Sequence, residues 1–173
     1  LFQKKYDYKE LLKRFTDDVI TMVDLKQLVQ MTVNTLTEIV KLDGASLLLF
    51  NKDTRIYELA AAKGTNGQSL AIPEDEPFVT FLRRTQEPIG ADGKVTFPAE
   101  VTSRLKQLNA RLCLPLQVHD DLIGVLCLGK KKSDEEFTKD DLDILLPLAS
   151  TVAIAVSNAQ LFEELAKTQA EAA

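Results

Sequence analysis

Apolar residues recur at helical spacing at the start of the chain. Within residues 8–23 they stand three, four and three positions apart, in the narrow seam of a coiled coil: Leu12, Phe15, Val19 and Met22. Asp24 interrupts this pattern and is a residue type that often caps a helix N-terminus. A second and wider apolar face then runs from Leu25 to Val40. The pattern predicts two amphipathic helices before any strand.

Two short apolar runs separated by a polar turn follow these helices. Residues 45–50 read ASLLLF and residues 55–63 read RIYELAAAK, with the polar residues 51–54 between them. The first run is too short for a further helix, and polar residues between apolar runs mark a turn. We therefore expect a first β-hairpin here.

Residues 112–129 predict a second hairpin, because two apolar runs flank the polar tip 119–121. If Asp120 and Asp121 are the turn residues, the facing pairs are Val118 with Ile123 and Leu114 with Cys127. In that register the two cysteines of the chain, Cys113 and Cys127, point to opposite faces of the sheet. A shift of one residue would place them opposite each other.

Between the hairpins, glycines and prolines divide residues 64–109 into short pieces. Residues 78–86 and 98–108 each place apolar side chains on one side, as short helices do. Helices this short are not stable alone and must cover an apolar surface. We expect them to form a lid over the sheet.

The last part of the chain predicts one long helix. Thr138 and Asp141 have the spacing of a capping box, and nearly every position from 145 to 156 is apolar or small. Beyond Ser157 the helix becomes one-sided and acidic, and Pro147 should bend it. The order of elements indicates an α+β fold with an antiparallel sheet and helices on its faces.

Composition narrows the classes of function. A chain of 173 residues is long enough for one domain with a core, and its net charge of −5 argues against a nucleic-acid partner. Two cysteines and no secretion-type segment favour a reducing, cytoplasmic setting. No apolar run approaches the roughly 20 residues that span a bilayer, so we expect no membrane insertion. The start at Leu1 and the end within a helical run suggest a piece of a longer protein.

Cys113, His119 and Cys127 are the obvious candidates for chemistry. His119 lies at the hairpin tip, and six strand residues span roughly 20 Å, so the three side chains cannot share a metal ion. Free cysteines among leucines are usually core residues, although a disulfide stays open in the shifted register. No nucleophile elbow or phosphate-binding loop occurs. We therefore predict no catalytic residues, no metal and no cofactor.

The lid suggests a ligand site instead. Phe78, Phe81 and Phe97 could cover a small apolar pocket, with Arg104 or Arg111 available for an anion. The alternative is equally open: the aromatic rings fill the core and the arginines face solvent.

Taken together, these elements make the sequence resemble a GAF domain. The resemblance rests on residues 24–53, 114–131 and 137–165, above all on the strand IGVL, the sequence FTKDDL and the spacing of alanines and Asn158 before Leu161-Phe162. It implies an antiparallel sheet of about six strands, with the N-terminal helices and the long C-terminal helix on one face and the short lid helices over a pocket on the other. Residues 1–23 resemble the segment that precedes such domains in membrane-tethered bacterial sensor histidine kinases.

The resemblance implies three segments: a signalling helix (1–23), the GAF domain (24–165) and the start of a helical linker to an output domain (166–173). It implies a non-enzymatic, cytoplasmic sensor module of a two-component system, which forms a homodimer through its terminal helices and takes an unknown small molecule. Two alternatives remain: a coupling domain without a ligand, and a free methionine sulfoxide reductase, which uses a cysteine relay that the lid here lacks.

Two ligand-binding branches of the family fit poorly. Bilin-binding members have a cysteine followed by histidine, which neither cysteine here matches. In cyclic-nucleotide-binding members a five-residue motif would fall on Gly129-Lys130, Phe137 and Asp141-Leu142, where the asparagine and glutamate are missing. Lys130 and Asp141 are then expected only to tie a strand to the last helix.

Overall fold

The computed structural model describes residues 2–64, 70–90 and 94–172. Leu1, Ala173 and two parts of the predicted lid, 65–69 and 91–93, lie outside the described residues. The helices and strands within the described residues are α1 (Phe2–Val19), α2 (Leu25–Val40), β1 (Gly44–Asn51), β2 (Ile56–Gly64), β3 (Ala71–Pro73), α3 (Pro77–Thr85), β4 (Ile89–Gly90), α4 (Ala99–Gln107), β5 (Leu112–Val118), β6 (Asp121–Leu128) and α5 (Lys139–Ala172).

All described strands join one antiparallel sheet in the order β3-β2-β1-β6-β5-β4. The two predicted hairpins therefore lie side by side, and their strands β1 and β6 form the centre. Helices α1, α2 and α5 pack on one face, and α3 and α4 pack on the other. The α+β architecture predicted from the sequence is confirmed.

The helix side of the sheet is closed by apolar faces of long helices. Asp24 caps α2 as predicted, since its side chain accepts hydrogen bonds from the backbone N–H groups of Lys26 and Gln27. In α1, Leu12, Phe15 and Val19 are buried against α2 and α5 of the same chain. The seam that suggested pairing between two chains is therefore used within one chain.

The second hairpin turns one residue earlier than predicted. Val118 pairs with Asp121, so the turn residues are His119 and Asp120, and His119 has a φ of 57°. The predicted facing pairs are therefore wrong: Val118 does not face Ile123, and Leu114 faces Leu126 instead of Cys127.

A β-bulge causes a second change of register within this hairpin. Leu116 pairs with Gly124, but the next residue, Gln117, pairs with Leu122, so Ile123 is an extra residue on β6. Gly124 permits this arrangement, because a Cβ atom there would lie only 2.5 Å from the carbonyl oxygen of Leu48. Pro115 on β5 and Gly124 on β6 are residue types that often accompany a bulge, but neither shows which residue is the extra one.

The lid side consists of short elements. The two predicted helices are confirmed as α3 and α4, of nine residues each, and Pro98 directly precedes α4. Their buried side chains face the sheet: Phe78, Val79, Leu82, Val101 and Leu105. The two edge strands of the sheet are shorter still, with three residues in β3 and two in β4.

Helix α5 is continuous for 34 residues and passes through Pro147. Thr138 and Asp141 form the predicted capping box: the backbone N–H of each donates to the side-chain oxygen of the other, at 2.8 and 3.2 Å. By length and composition the helix is apolar enough to cross a membrane, which the sequence pattern did not lead us to expect. However, 44% of its most apolar stretch is buried inside the domain, so many of its apolar residues are core residues.

Candidate functional site

Phe78, Phe81 and Phe97, three of the predicted ligand residues, lie in the lid. Phe78 is only 1% exposed and points into the apolar cluster between α3 and the sheet. Phe81 and Phe97 are partly buried, and their rings meet edge to face with centroids 5.6 Å apart. This pair joins α3 to the segment before α4.

The two predicted arginines have different surroundings. The Arg104 Nε donates to Glu76 at 2.9 Å, a second guanidinium N–H donates to the same carboxylate, and Nη1 donates to Gln107. Arg104 therefore ties α4 to the start of α3. Arg111 is exposed, and its charge helps Lys130, the main cause, to lower the pKa of Asp134 in the loop before α5. The structure thus places Arg111 beside that loop and Arg104 beside Glu76.

In the described part of the lid, side chains occupy the space between the short helices and the sheet. Each of the following is less than 5% exposed: Phe78, Val79, Leu82, Ile89, Val101, Leu105 and Leu108. A ligand role for the five predicted residues stays a prediction, because it requires the lid to open.

An open cleft of about 1000 Å³ lies elsewhere, at the end of the sheet where the β1–β2 and β5–β6 turns meet α5. Phe50 and Tyr57 line one side, with ring centroids 4.9 Å apart. Ser157, Leu161 and Glu164 line the other side from α5. The cleft therefore adjoins the point where α5 leaves the domain.

Charged side chains rim this cleft. Arg55 donates twice to Glu74, at 2.7 and 2.9 Å, and its guanidinium lies 5.1 Å from the centroid of the Phe50 ring. Arg83 is less engaged, at 3.9 Å from Glu74. On the α5 side, Lys52 Nζ lies 2.7 Å from Glu164. The β1–β2 turn thus touches the outgoing helix directly.

Tyr57 is a structural part of the cleft. Its hydroxyl donates to the carbonyl oxygen of Leu122 at 2.6 Å and accepts from Arg83 at 3.5 Å. Burial raises the pKa of Tyr57, and the neighbouring Arg83 only partly opposes this. The phenol therefore stays protonated at neutral pH.

Sequence reasoning missed this cleft. Its lining comes from segments far apart in the chain, and no spacing links Phe50 to Leu122 or Leu161. The aromatic residues on either side of the first turn were the only local signal, and such residues also occur in ordinary hairpins.

A polar cluster forms at the start of α5, at the opposite end of the helix from the cleft. Asp141 accepts hydrogen bonds from Lys131 at 2.6 Å, from the Thr138 N–H at 2.8 Å and from the Tyr8 hydroxyl at 3.3 Å. Burial would raise the pKa of Asp141, but the bonds from Lys131 and Thr138 together hold it below its usual value. Burial, together with the charge of Asp141, raises the pKa of Tyr8.

This cluster corrects one expectation. The strand-to-helix tie uses Lys131, whereas Lys130 pairs with Asp134 at 2.8 Å. Because Tyr8 belongs to α1, the cluster also fixes the N-terminal half of α1 to the beginning of α5.

Residues 24–158 match the family model described as GAF domain. The chain belongs to the GAF domain family. A curated relative, diguanylate cyclase A of Treponema denticola, is 31% identical over 96 residues, which are 54% of this chain and 26% of that protein. The match thus spans about a quarter of the relative's length.

Solved structures agree with this assignment. The GAF domain of an Acinetobacter phosphoenolpyruvate-protein phosphotransferase has a TM-score of 0.69 at 18% identity, covering 88% of this chain and 93% of that one. Residues 122 to 287 of a methyl-accepting chemotaxis protein have a TM-score of 0.69 at 15% identity, covering 85% of this chain and 97% of that one. At these identities the likeness establishes the GAF fold and nothing finer.

The far half of α5 gives this GAF domain an exposed apolar stripe. Ile154, Leu161 and Leu165 are 45%, 54% and 61% exposed. Together with Asn158 and Thr168 they follow steps of four, three, four and three, which is the spacing of a coiled-coil seam.

Proposed function

We propose that this GAF domain is a non-enzymatic regulatory module of a larger signalling protein, in which two copies pair through α5 and transmit a change in the domain to an output domain. The proposed parent is a membrane-tethered histidine kinase of a two-component system, with the domain in the cytoplasm. Support for the kinase comes from the resemblance of residues 1–23 to the segment that precedes GAF domains in such kinases.

The observation that carries the proposal is the change in surroundings along α5. Its first part has a buried face that ends at Ala159, and every residue from Leu161 to Glu171 is exposed. A helix that continues in solvent with an apolar seam is stabilised by a second helix. Asn158 then falls at an a position, where a buried asparagine favours a paired, in-register dimer at some cost in stability.

The proposed coupling to a ligand is supported by the contact between Lys52 in the β1–β2 turn and Glu164 on α5. We propose that a small molecule enters beneath the lid, where it contacts Phe78, Phe81, Phe97, Arg104 and Arg111. Its binding shifts the sheet edges, and the Lys52–Glu164 contact passes this shift to α5. The ligand must bind one helix arrangement more tightly, and each 1.4 kcal/mol of difference changes the ratio of the two about tenfold.

Sedimentation analysis of residues 1–173 tests the pairing. We expect a dimer that the double substitution Leu161→Lys and Leu165→Lys weakens by at least about tenfold, because it places charges in the seam. Ala170→Lys is the matched control, since position 170 faces away from the seam and should leave the dimer unchanged. A wild-type monomer at high concentration would remove the dimer from the proposal.

A second candidate is a coupling domain without a ligand, and the filled lid favours it. Thermal-shift measurements with nucleotides, amino acids and other metabolites separate the two. A ligand at about 100 times its Kd stabilises the domain by about 2.7 kcal/mol, and replacing Phe81 and Arg104 with alanine should reduce that gain. If no compound stabilises the wild-type domain, the ligand-free function stands. The burial of both cysteines does not favour the reductase alternative.

A further inference from the structure

The bulge in the second hairpin brings the two cysteines of the chain together. Cys113 on β5 and Cys127 on β6 pair directly across the sheet, and their sulfur atoms lie 3.7 Å apart. Both are free thiols and both are fully buried in the lid-side cluster.

We infer that Cys113 and Cys127 form a modification site, which a small hydroperoxide oxidises reversibly to a disulfide within the chain. One thiolate attacks a peroxide oxygen and breaks the O–O bond, which gives a sulfenic acid and an alkoxide or hydroxide that takes a proton to become alcohol or water. The second thiolate then attacks this sulfur, forms the S–S bond and expels hydroxide, which takes a proton to become water. Two thiols thus lose two electrons, and one O–O bond is reduced.

The backbone is already placed for this bond. Residues directly opposite in antiparallel strands have Cα atoms about 4.5–5.5 Å apart, within the 4.4–6.8 Å range of disulfides. The sulfur atoms must approach from 3.7 Å to about 2.05 Å, a change that side-chain rotation supplies with little strand movement.

Access depends on the lid. Cys113 lies next to the edge strand β4, whose two residues pair with Leu112 and Cys113. An edge this short opens by local fluctuation, which admits a small uncharged oxidant more readily than a protein disulfide. The hydrogen bond with Cys127 and burial both raise the pKa of Cys113, so thiolate is scarce at neutral pH and oxidation should accelerate as the pH rises.

The bond would change the lid. Leu108, Ile89 and Val125 belong to the same buried cluster as the two sulfur atoms. A disulfide would therefore add a covalent cross-link between β5 and β6 within the cluster that α4 covers. This effect is independent of the proposed pairing through α5.

Hydrogen peroxide treatment of the folded wild-type chain tests the site. Intact mass should fall by about 2 Da, both thiols should disappear together, and dithiothreitol should restore them. Peptide mapping should find Cys113 joined to Cys127 within one chain. The rate should increase at least about tenfold from pH 7 to pH 9. As long as the pH is below the thiol pKa, each unit of rise in pH increases the thiolate fraction about tenfold.

Cys113→Ser and Cys127→Ser are the matched variants, and neither should lose this mass. Where a serine variant folds poorly, peptide mapping of the wild-type protein decides alone. The inference is overturned if the wild-type chain keeps both thiols, gains oxygen in steps of about 16 Da without a cross-link, or forms disulfides only between chains.

Discussion

The two faces of the sheet are built in different ways. The helix side is closed by α2 and α5, of 16 and 34 residues, and its fully buried residues are almost all aliphatic. The lid side is closed by helices of nine residues and carries Tyr57, Phe78 and both thiols. Long elements with a continuous apolar face are largely specified locally, whereas short ones depend on the surface that they cover.

This difference should appear in dynamics as well as in stability. Short helices and two-residue strands have few hydrogen bonds to lose, so the lid should open locally while the helix side unfolds only with the whole domain. The helix side would then be rigid and carry the outgoing helix, while the lid side could move over the sheet. This combination suits a regulatory module.

The largest expected effect concerns the helix side. Leu36→Ala in α2 removes a fully buried side chain and should lower the free energy of unfolding by about 3–5 kcal/mol, as measured by urea denaturation. Leu82→Ala in α3 removes an equally buried side chain but should cost only about 2 kcal/mol, because the short lid helices can settle into the space. Met31→Ala, on the exposed face of α2, is the control. Equal losses at positions 36 and 82 would contradict the contrast between the two sides.

Asp141→Ala tests the polar cluster that fixes α1 to α5. It removes a capping interaction worth about 1 kcal/mol and leaves the mostly buried Lys131 without its carboxylate, so we expect a total loss of about 2–3 kcal/mol at pH 7. Asp140→Ala, in the same turn but exposed, should change little.

The stability that Asp141 contributes should decrease as the pH falls. The folded pKa of Asp141 is lowered, so its stabilising effect is complete above its unfolded pKa of about 3.9 and is lost as the pH falls through the folded value. The free energies of unfolding of the wild-type protein and Asp141→Ala, measured as a function of pH, should therefore converge below about pH 4. A gap that stays constant into strong acid would show that the charge of Asp141 is not involved.

Gly124→Ala tests the bulge at the centre of the sheet, which both sides share. The added Cβ would meet the Leu48 carbonyl oxygen at 2.5 Å, and the crowding should cost about 1–3 kcal/mol. Gly90→Ala on β4 is the control, because its nearest neighbour would be 3.8 Å away. If the Gly124 variant were as stable as wild type, the bulge would not depend on the missing side chain.

The smallest effect concerns the lid alone. A double-mutant cycle with Phe81→Ala and Phe97→Ala should give a coupling energy of about 0.5–1.5 kcal/mol from the edge-to-face contact. The same cycle between Phe81 and Leu36, on opposite sides of the sheet, should give a coupling near zero. Coupling across the sheet as large as that between the rings would mean that the two sides do not respond separately.

Most elements could be predicted from the sequence, because local patterns decide them. Asp24 begins α2, the capping box at Thr138 begins α5, and both lid helices lie at the predicted positions. The register of the second hairpin could not be predicted, because Ile123 as an extra residue depends on how closely Leu48 approaches Gly124. The cleft was also beyond prediction, since Phe50 and Leu161 meet only after folding.

The sequence by itself determined the positions of the helices and of the two hairpins, the apolar residues and the resemblance to the GAF family, because these depend on residue types at short spacing. Only the tertiary structure decided that the α1 seam is used within the chain, that Lys131 reaches Asp141 and that Cys113 lies opposite Cys127. These outcomes rest on contacts between distant segments, where one inserted residue or one missing Cβ atom changes which side chains meet.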